Sequence, residues 1–544
     1  MPASSPGDET GPDDRVLVPD AAAARDVGDD PTAMSAGHLQ ERAVRGAAWT
    51  VVHTFVAIPI AFLVNLVVAR VLGAADYGRL ALLTAIMEFV SGLLTTGFAT
   101  AVIQYGAKAH AGGRTADVAR LLSQWQGFRL VVAMPVLLVV VFVTADVPPW
   151  AMGVALLFGV VLPSALDGGA TSLGIENKTA DGAKIALVTT LLTQVAVVVV
   201  ALVVRTPDAV WATRLVVTGL AVGLCLARIA PAYRVAVLRP ALPRGMPAGF
   251  WRFAVPMGLA GVVSGLVSSR SEVFVLSWLA TPEALGIYAL SFGLAVHTFA
   301  PAQAIVGPLI PAISGLREVD ESAVAPAFRR VVRSGSSVVA LVDAAVVAPL
   351  ALLVPVLYGH QFAEASPVVL ALAVTSGIAT AGGPIFAFVT ARLSGNPILV
   401  AYVVALVVDL GLAVALVPSI GVWGAVVANA AGALTSLGIL AVRELRALDL
   451  PLRVVARDAV PLLVGSLSAV GAYLAAAAVE GPVLLRAVGA AVLGTVMCVG
   501  VLRLLGAGLT VEDRGAVDRV LPDRVRRPAS RVLDLLLGGA TPVR

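Results

Sequence analysis

Seven ionisable side chains stand inside or at the ends of long apolar runs: Arg70, Glu88, Arg270, Glu272, His297, Asp343 and Asp409. An ionisable group near the centre of a bilayer costs at least about 2.5–3.5 kcal/mol, so each needs a reason. Arg270 and Glu272 share a serine-rich stretch with Ser264, Ser268, Ser269 and Ser271. Such a stretch is read as one wall of a hydrated substrate cavity, with Arg270 attracting an anionic head group and Glu272 tuning it. The alternative is an ion pair to another helix; a spacing of two turns the two side chains well apart on one helix, so they do not pair with each other. Asp409 and Asp343 are lone carboxylates in apolar runs, and Glu88 and His297 occupy matching places 208–209 residues apart. These four are the candidates for coupling transport to an ion gradient, because each gains or loses a proton with its surroundings. A hydrogen-bonded packing role is the competing reading for each. Arg70 ends its apolar run, where it snorkels to the interface or serves an outer gate. Arg214 and Arg486 are read as snorkelling, structural residues.

The elements that position these groups are fourteen apolar stretches: 46–69, 79–103, 128–145, 150–168, 183–204, 209–231, 253–279, 286–313, 334–357, 366–390, 397–417, 421–442, 459–478 and 482–504. About twenty apolar residues cross a bilayer as a helix, and these runs are too long and unbroken for barrel strands. The expectation is an all-α, polytopic integral membrane protein. With 58% hydrophobic and 13% charged residues and a mean hydropathy of +0.93, there is no room for a large water-soluble domain. The sequence pI near 9.3 does not imply nucleic-acid binding, because the basic residues flank the apolar runs. Loops after even-numbered runs, together with the five residues of each run that border them, hold twenty Lys and Arg against four for the odd-numbered ones. That asymmetry places both termini in the cytoplasm of a bacterial cell, with the protein multi-pass in its plasma membrane.

Residues 1–42 read as a disordered acidic tail and 506–544 as a basic tail able to lie on anionic lipid. Between them come an N-terminal six-helix bundle (43–235), a C-terminal six-helix bundle (250–445) and two appended helices (457–505). The two bundles carry a faint repeat. Val71-Leu72-Gly73-Ala74-Ala75-Asp76-Tyr77-Gly78 returns as Leu279-Ala280-Thr281-Pro282-Glu283-Ala284-Leu285-Gly286, with six runs between. An even number of intervening spans makes the repeat parallel. External loops are short, and the sequence holds no phosphate-binding loop, Cys/His metal spacing or nucleophile elbow. Chemistry on covalent bonds is therefore not expected, nor any cofactor, and movement of a solute or lipid is. Cys225 and Cys498 both lie within runs and imply no disulfide framework.

Three motifs carry a resemblance. Ala69-Arg70-Val71-Leu72-Gly73 with Tyr77-Gly78 is similar to the A-R-x-L-G-x-x-x-Y-G signature of bacterial polysaccharide flippases, with Trp49 just inside the preceding helix. Arg270-Ser271-Glu272 followed by Leu285-Gly286-Ile287-Tyr288 resembles that family's charged seventh helix and its G-x-Y turn. The stretch Leu416 to Ala428, with Pro418, Gly421 and Gly424, resembles its joint between helices 11 and 12. Together they cover about residues 40–505 and resemble a Wzx-like oligosaccharide flippase of the multidrug/oligosaccharidyl-lipid/polysaccharide exporter superfamily. No S-R-x-L-G stands at the first helix, so the lipid II flippase branch fits less well. The resemblance implies a polyprenyl-pyrophosphate-linked oligosaccharide as cargo, contact with membrane lipids and polysaccharide polymerase or assembly proteins, and H+ or Na+ as the driving ion. The rival expectation is an ion-coupled multidrug or small-molecule exporter of the same superfamily. An apolar pocket with a carboxylate would mark the exporter, a cationic cavity the flippase.

Overall fold

A computed structural model describes residues 36–266, 271–303, 320–392 and 396–510, with Leu309, Ile313, Leu316 and Arg317 between them. Both tails lie outside the described residues except for 36–42, which are helical, and 506–510. The helices are α1 (Ala36–Ala111), α2 (Thr115–Thr144), α3 (Pro149–Ile175), α4 (Thr179–Val203) and α5 (Pro207–Arg228), and the short α6 (Pro231–Leu238). They continue with α7 (Phe250–Gly265), α8 (Ser271–Leu279), α9 (Pro282–Gln303), α10 (Glu321–Tyr358), α11 (Ala365–Thr390), α12 (Asn396–Ile420) and α13 (Val422–Ala447). The short α14 (Leu452–Asp458) precedes α15 (Val460–Ala477) and α16 (Val483–Leu505).

Among the described residues, twelve helices are long and apolar enough to cross a membrane, against the fourteen runs expected. The difference has two local causes. The first two runs are two helices that meet at a kink at Gly73, where a φ of +84° takes the backbone out of helical geometry, and they are counted together as α1. The seventh run is described only as α7 and α8, on either side of residues 267–270, which are outside the described set. Proline shapes three other helices. Wide, π-helical turns occupy Arg129–Ala133, Ala155–Val161 and Asp343–Val347. Each ends two residues before a proline: Pro135, Pro163 or Pro349. A proline lacks the N–H that would hold the preceding turn and crowds its carbonyl, so the turn opens.

Two helical bundles pack side by side. In the first, α4 packs on α1 and α5, around Leu137, Val141, Val197 and Trp211. In the second, α9 packs on α11 and α12 on α13, around Tyr288, Phe299, Tyr358 and Phe362. Helix α1 also packs along α7 and α9 and so forms the seam between bundles. The appended pair α15–α16 lies against α10. Much of the outward surface is apolar, with Val143 75%, Val203 76% and Leu504 88% exposed. Surface of that kind is costly in water and is solvated by lipid tails.

The seam closes tightly at the end carrying Gly73. A Cβ on Gly286 of α9 would lie 1.8 Å from the Ala74 carbonyl oxygen, and one on Gly78 of α1 would lie 2.5 Å from that of Pro282. The two glycines that align in the sequence repeat therefore meet face to face. At the opposite end the bundles are tied internally by ion pairs. Glu444, fully buried, accepts from Arg317 at 2.8 Å and from Arg392 at 2.8 Å. Asp458 holds Arg329 and Arg333, and Asp167 holds Arg129.

Candidate functional site: two polar cavities and a buried acid pair

Helix α9 separates two cavities. The first, about 400 Å3, lies between α9 and the N-terminal bundle. Its polar lining is Asn65, Tyr77, Gln194 and Arg214, with Thr189, Thr190, Thr193 and Thr218 around them and His297 contributed by α9. The Tyr77 hydroxyl donates to Asn65 Oδ1 at 2.7 Å. The hydroxyls of Thr189 and Thr193 are buried without a hydrogen-bond partner. Arg214 is the one permanent charge among the described lining residues and has no carboxylate partner among them. It lines the cavity, a placement that the snorkelling expectation does not include. A signal for the cavity stood in α4: Thr189, Thr190, Thr193 and Gln194 fall at i, i+1, i+4 and i+5, a polar stripe on an otherwise apolar helix.

The second cavity, about 430 Å3, lies in the C-terminal bundle between α9, α11, α12 and α13. No charged side chain lines it among the described residues; amides, hydroxyls and aromatic rings do.

Beside that cavity two carboxylates are packed out of contact with solvent. Glu272 of α8 is 0% and Asp409 of α12 1% exposed. Asn429 of α13 donates to Glu272 Oε1 at 2.7 Å, and the Ser271 hydroxyl lies 3.1 Å from Glu272 Oε2 and against Asp409 Oδ2. Asp409 Oδ1 has no hydrogen-bond partner. The helices meet here because Gly432 leaves room: a Cβ on it would lie 3.0 Å from Asp409 Cβ. No basic side chain pairs with either acid among the described residues. Two adjacent carboxylates packed away from solvent favour sharing a proton or holding a cation over ionising together. Asn429 also lines the second cavity, so the acid pair is one side chain away from it.

The remaining candidates are scattered. Asp343, 0% exposed, lies in the π-helical turn of α10, accepts from Ser466 of α15 at 3.0 Å and leaves Oδ1 unpartnered. It stands apart from the acid pair. Glu88 lies on an exposed face of α1. His297 faces the first cavity with Nδ1 2.6 Å from the Gly293 carbonyl. Arg70, exposed, reaches across the seam to the carbonyls of Val356 and Leu357 at 3.5 and 3.3 Å, and Gln361 returns a bond to the Arg70 carbonyl at 3.3 Å. Arg70 is thus bonded to the far bundle at the closed end. Arg270 lies outside the described residues. The described residues contain no group of three His, Cys, Asp or Glu able to hold a metal ion.

The fold is shared with a solved MATE family transporter of the MOP superfamily and with the lipid II flippase MurJ. The chain belongs to the family described as "Polysaccharide biosynthesis protein", which matches residues 67–367. Among solved structures it is similar to the lipid II flippase MurJ in an inward closed conformation, at 12% identity and a TM-score of 0.57, covering 84% of this chain and 99% of that one. An inward-facing multidrug resistance MATE family transporter matches at 15% identity and a TM-score of 0.52, covering 72% and 95%. The Vibrio cholerae MATE transporter VcmN matches at 12% identity and a TM-score of 0.50, covering 76% and 98%. No curated protein sequence matches.

Proposed function

We propose that the protein is a Wzx-like flippase that moves a polyprenyl-pyrophosphate-linked oligosaccharide from the inner to the outer leaflet of the bacterial plasma membrane, in the service of cell-surface polysaccharide synthesis. The observation that carries this reading is Arg214: a cation with no carboxylate partner among the described residues, in a cavity whose other polar groups are amides, hydroxyls and His297. A guanidinium binds a diphosphate through two parallel hydrogen bonds, and amides and hydroxyls suit the sugar next to it. Arg270 is proposed as a second cation for the same head group. The polyprenyl tail stays among lipid, and polymerase or assembly proteins receive the flipped cargo. Drive comes from H+ or Na+ at the Glu272–Asp409 pair, with Asp343, Glu88 and His297 as further candidates.

Export of small organic molecules is the second reading. The MATE transporters among the similar structures favour it, and so do the aromatic rings Phe292, Phe386 and Tyr402 in the second cavity. Transport in proteoliposomes separates the two. Flipping of a fluorescent polyprenyl-diphosphate sugar should fall at least about tenfold in Arg214→Ala, the cost of one charged hydrogen bond. Arg214→Lys should keep part of the rate, because charge remains and the planar fork is lost. Wild-type protein that extrudes a lipophilic cationic dye and leaves the lipid-linked sugar in place would replace the flippase by the exporter.

A further inference from the structure

Helix α9 presents different residues to the two cavities. Gly293, Leu294 and His297 face the one that holds Arg214, while Phe292, Val296 and Gln303 face the other. The second cavity has a composition unlike either a drug pocket or an ion path. Its polar lining is made of amides and hydroxyls, including Gln303, Ser376 and Asn429, and aromatic rings stand among them at Phe292, Phe386 and Tyr402. Neither sign of charge reaches it among the described residues, and the acid pair beyond Asn429 is sealed from solvent. A cationic drug would find no carboxylate on these walls, and a phosphate would find no cation. Pyranose rings match both parts of the lining. Their equatorial hydroxyls exchange hydrogen bonds with amides and hydroxyls, which donate and accept alike. Their flat C–H faces lie against aromatic rings, which bury apolar area at little cost in entropy. About 430 Å3 is within the range of small-molecule sites.

We propose that the cavity of the C-terminal bundle is the saccharide half of the cargo site and takes uncharged sugar rings, while the diphosphate that joins them to the lipid sits across α9 at Arg214. This assignment rests on the flippase reading and divides its cargo between the bundles.

The test uses full-length protein in nanodiscs and two probes: polyprenyl diphosphate, and the same lipid bearing a neutral disaccharide. Wild-type protein should bind the disaccharide probe about tenfold more tightly, as two or so net hydrogen bonds supply. In Gln303→Ala/Ser376→Ala that preference should shrink towards unity, with the affinity for the bare diphosphate unchanged. Ser376→Ala alone, which removes one hydroxyl and nothing else, should give an intermediate ratio and the wild-type thermal midpoint. Equal binding of both probes by wild-type protein, or a preference that survives the double substitution, overturns the saccharide site. Arg214→Ala should weaken both probes by the same factor. If it weakens neither, the diphosphate reading fails while the sugar preference is still measured independently as a ratio.

Discussion

At Asp409 the cost of burial and the means of relieving it lie within one side chain's reach. Its Oδ2 has Ser271, its Oδ1 has nothing, and Glu272 is held in the same cluster. Hydroxyl and amide donors of this number satisfy one negative charge, not two. In the proposed cycle a proton or a monovalent cation completes the set, and its loss when water enters drives the change of state. Asp409→Asn keeps size and hydrogen bonding but removes the charge. In vesicles with an imposed gradient, this variant should flip cargo at the slow rate seen without a gradient. Wild-type rates indifferent to collapse of both proton and sodium gradients would exclude coupling altogether. Each acid could be picked out in the sequence as an ionisable residue in an apolar run. Their partnership could not, because 137 residues separate Glu272 from Asp409 and nothing in either run names the other. The place of Arg214 in a cavity is hard to read from the sequence for a related reason. Distance from the end of a run gives depth, while the face a side chain presents depends on neighbours contributed by α1 and α9.

At the scale of helices, length and apolarity sufficed to locate nearly every span, since a bilayer imposes both. The turn between the first two runs is legible too: Gly73 stands where the backbone leaves helical geometry, with Gln361 Oε1 3.2 Å from the place of a Cβ. The Gly78–Gly286 contact gives a sharp test of the seam. Gly286→Ala puts a methyl group 1.8 Å from a backbone oxygen, a clash that only separation of α1 from α9 relieves. Overpacking of this kind costs about 1–3 kcal/mol, so the thermal midpoint should drop and a cysteine at Ala74 should become reactive to thiol reagents. Gly489→Ala on α16, with nothing within 4 Å of the new carbon, should leave the midpoint unchanged or slightly raised. Equal midpoints for the two variants would mean that the seam bears no tension in the resting state.

The whole molecule has an orientation that its loops declare. From twenty basic residues on one side against four on the other, we propose that the ion-paired end, with Glu444 and Asp458, faces the cytoplasm and the Gly73 end the outside. Cysteines introduced at Thr281 and Ser419 should react with an impermeant thiol reagent added to intact cells, and one at Ala323 should not. The reverse pattern would invert the molecule and with it the direction of transport.

Helix α1 touches partners that do not yet exist when it is made. Its contacts along the seam are with α7 and α9, the second of which ends at Gln303. A ribosome adding 5–20 residues per second needs about 10–40 s to travel from the end of α1 to the end of α9. Throughout that interval the groove around Gly78 faces lipid or an insertion chaperone, with backbone oxygens uncovered. The first bundle is thus the early product of synthesis, but its joining surface is completed late. Arrest of translation before α9 should leave a fragment that is inserted yet sensitive to membrane proteases, and one released after Gln303 should be markedly more resistant.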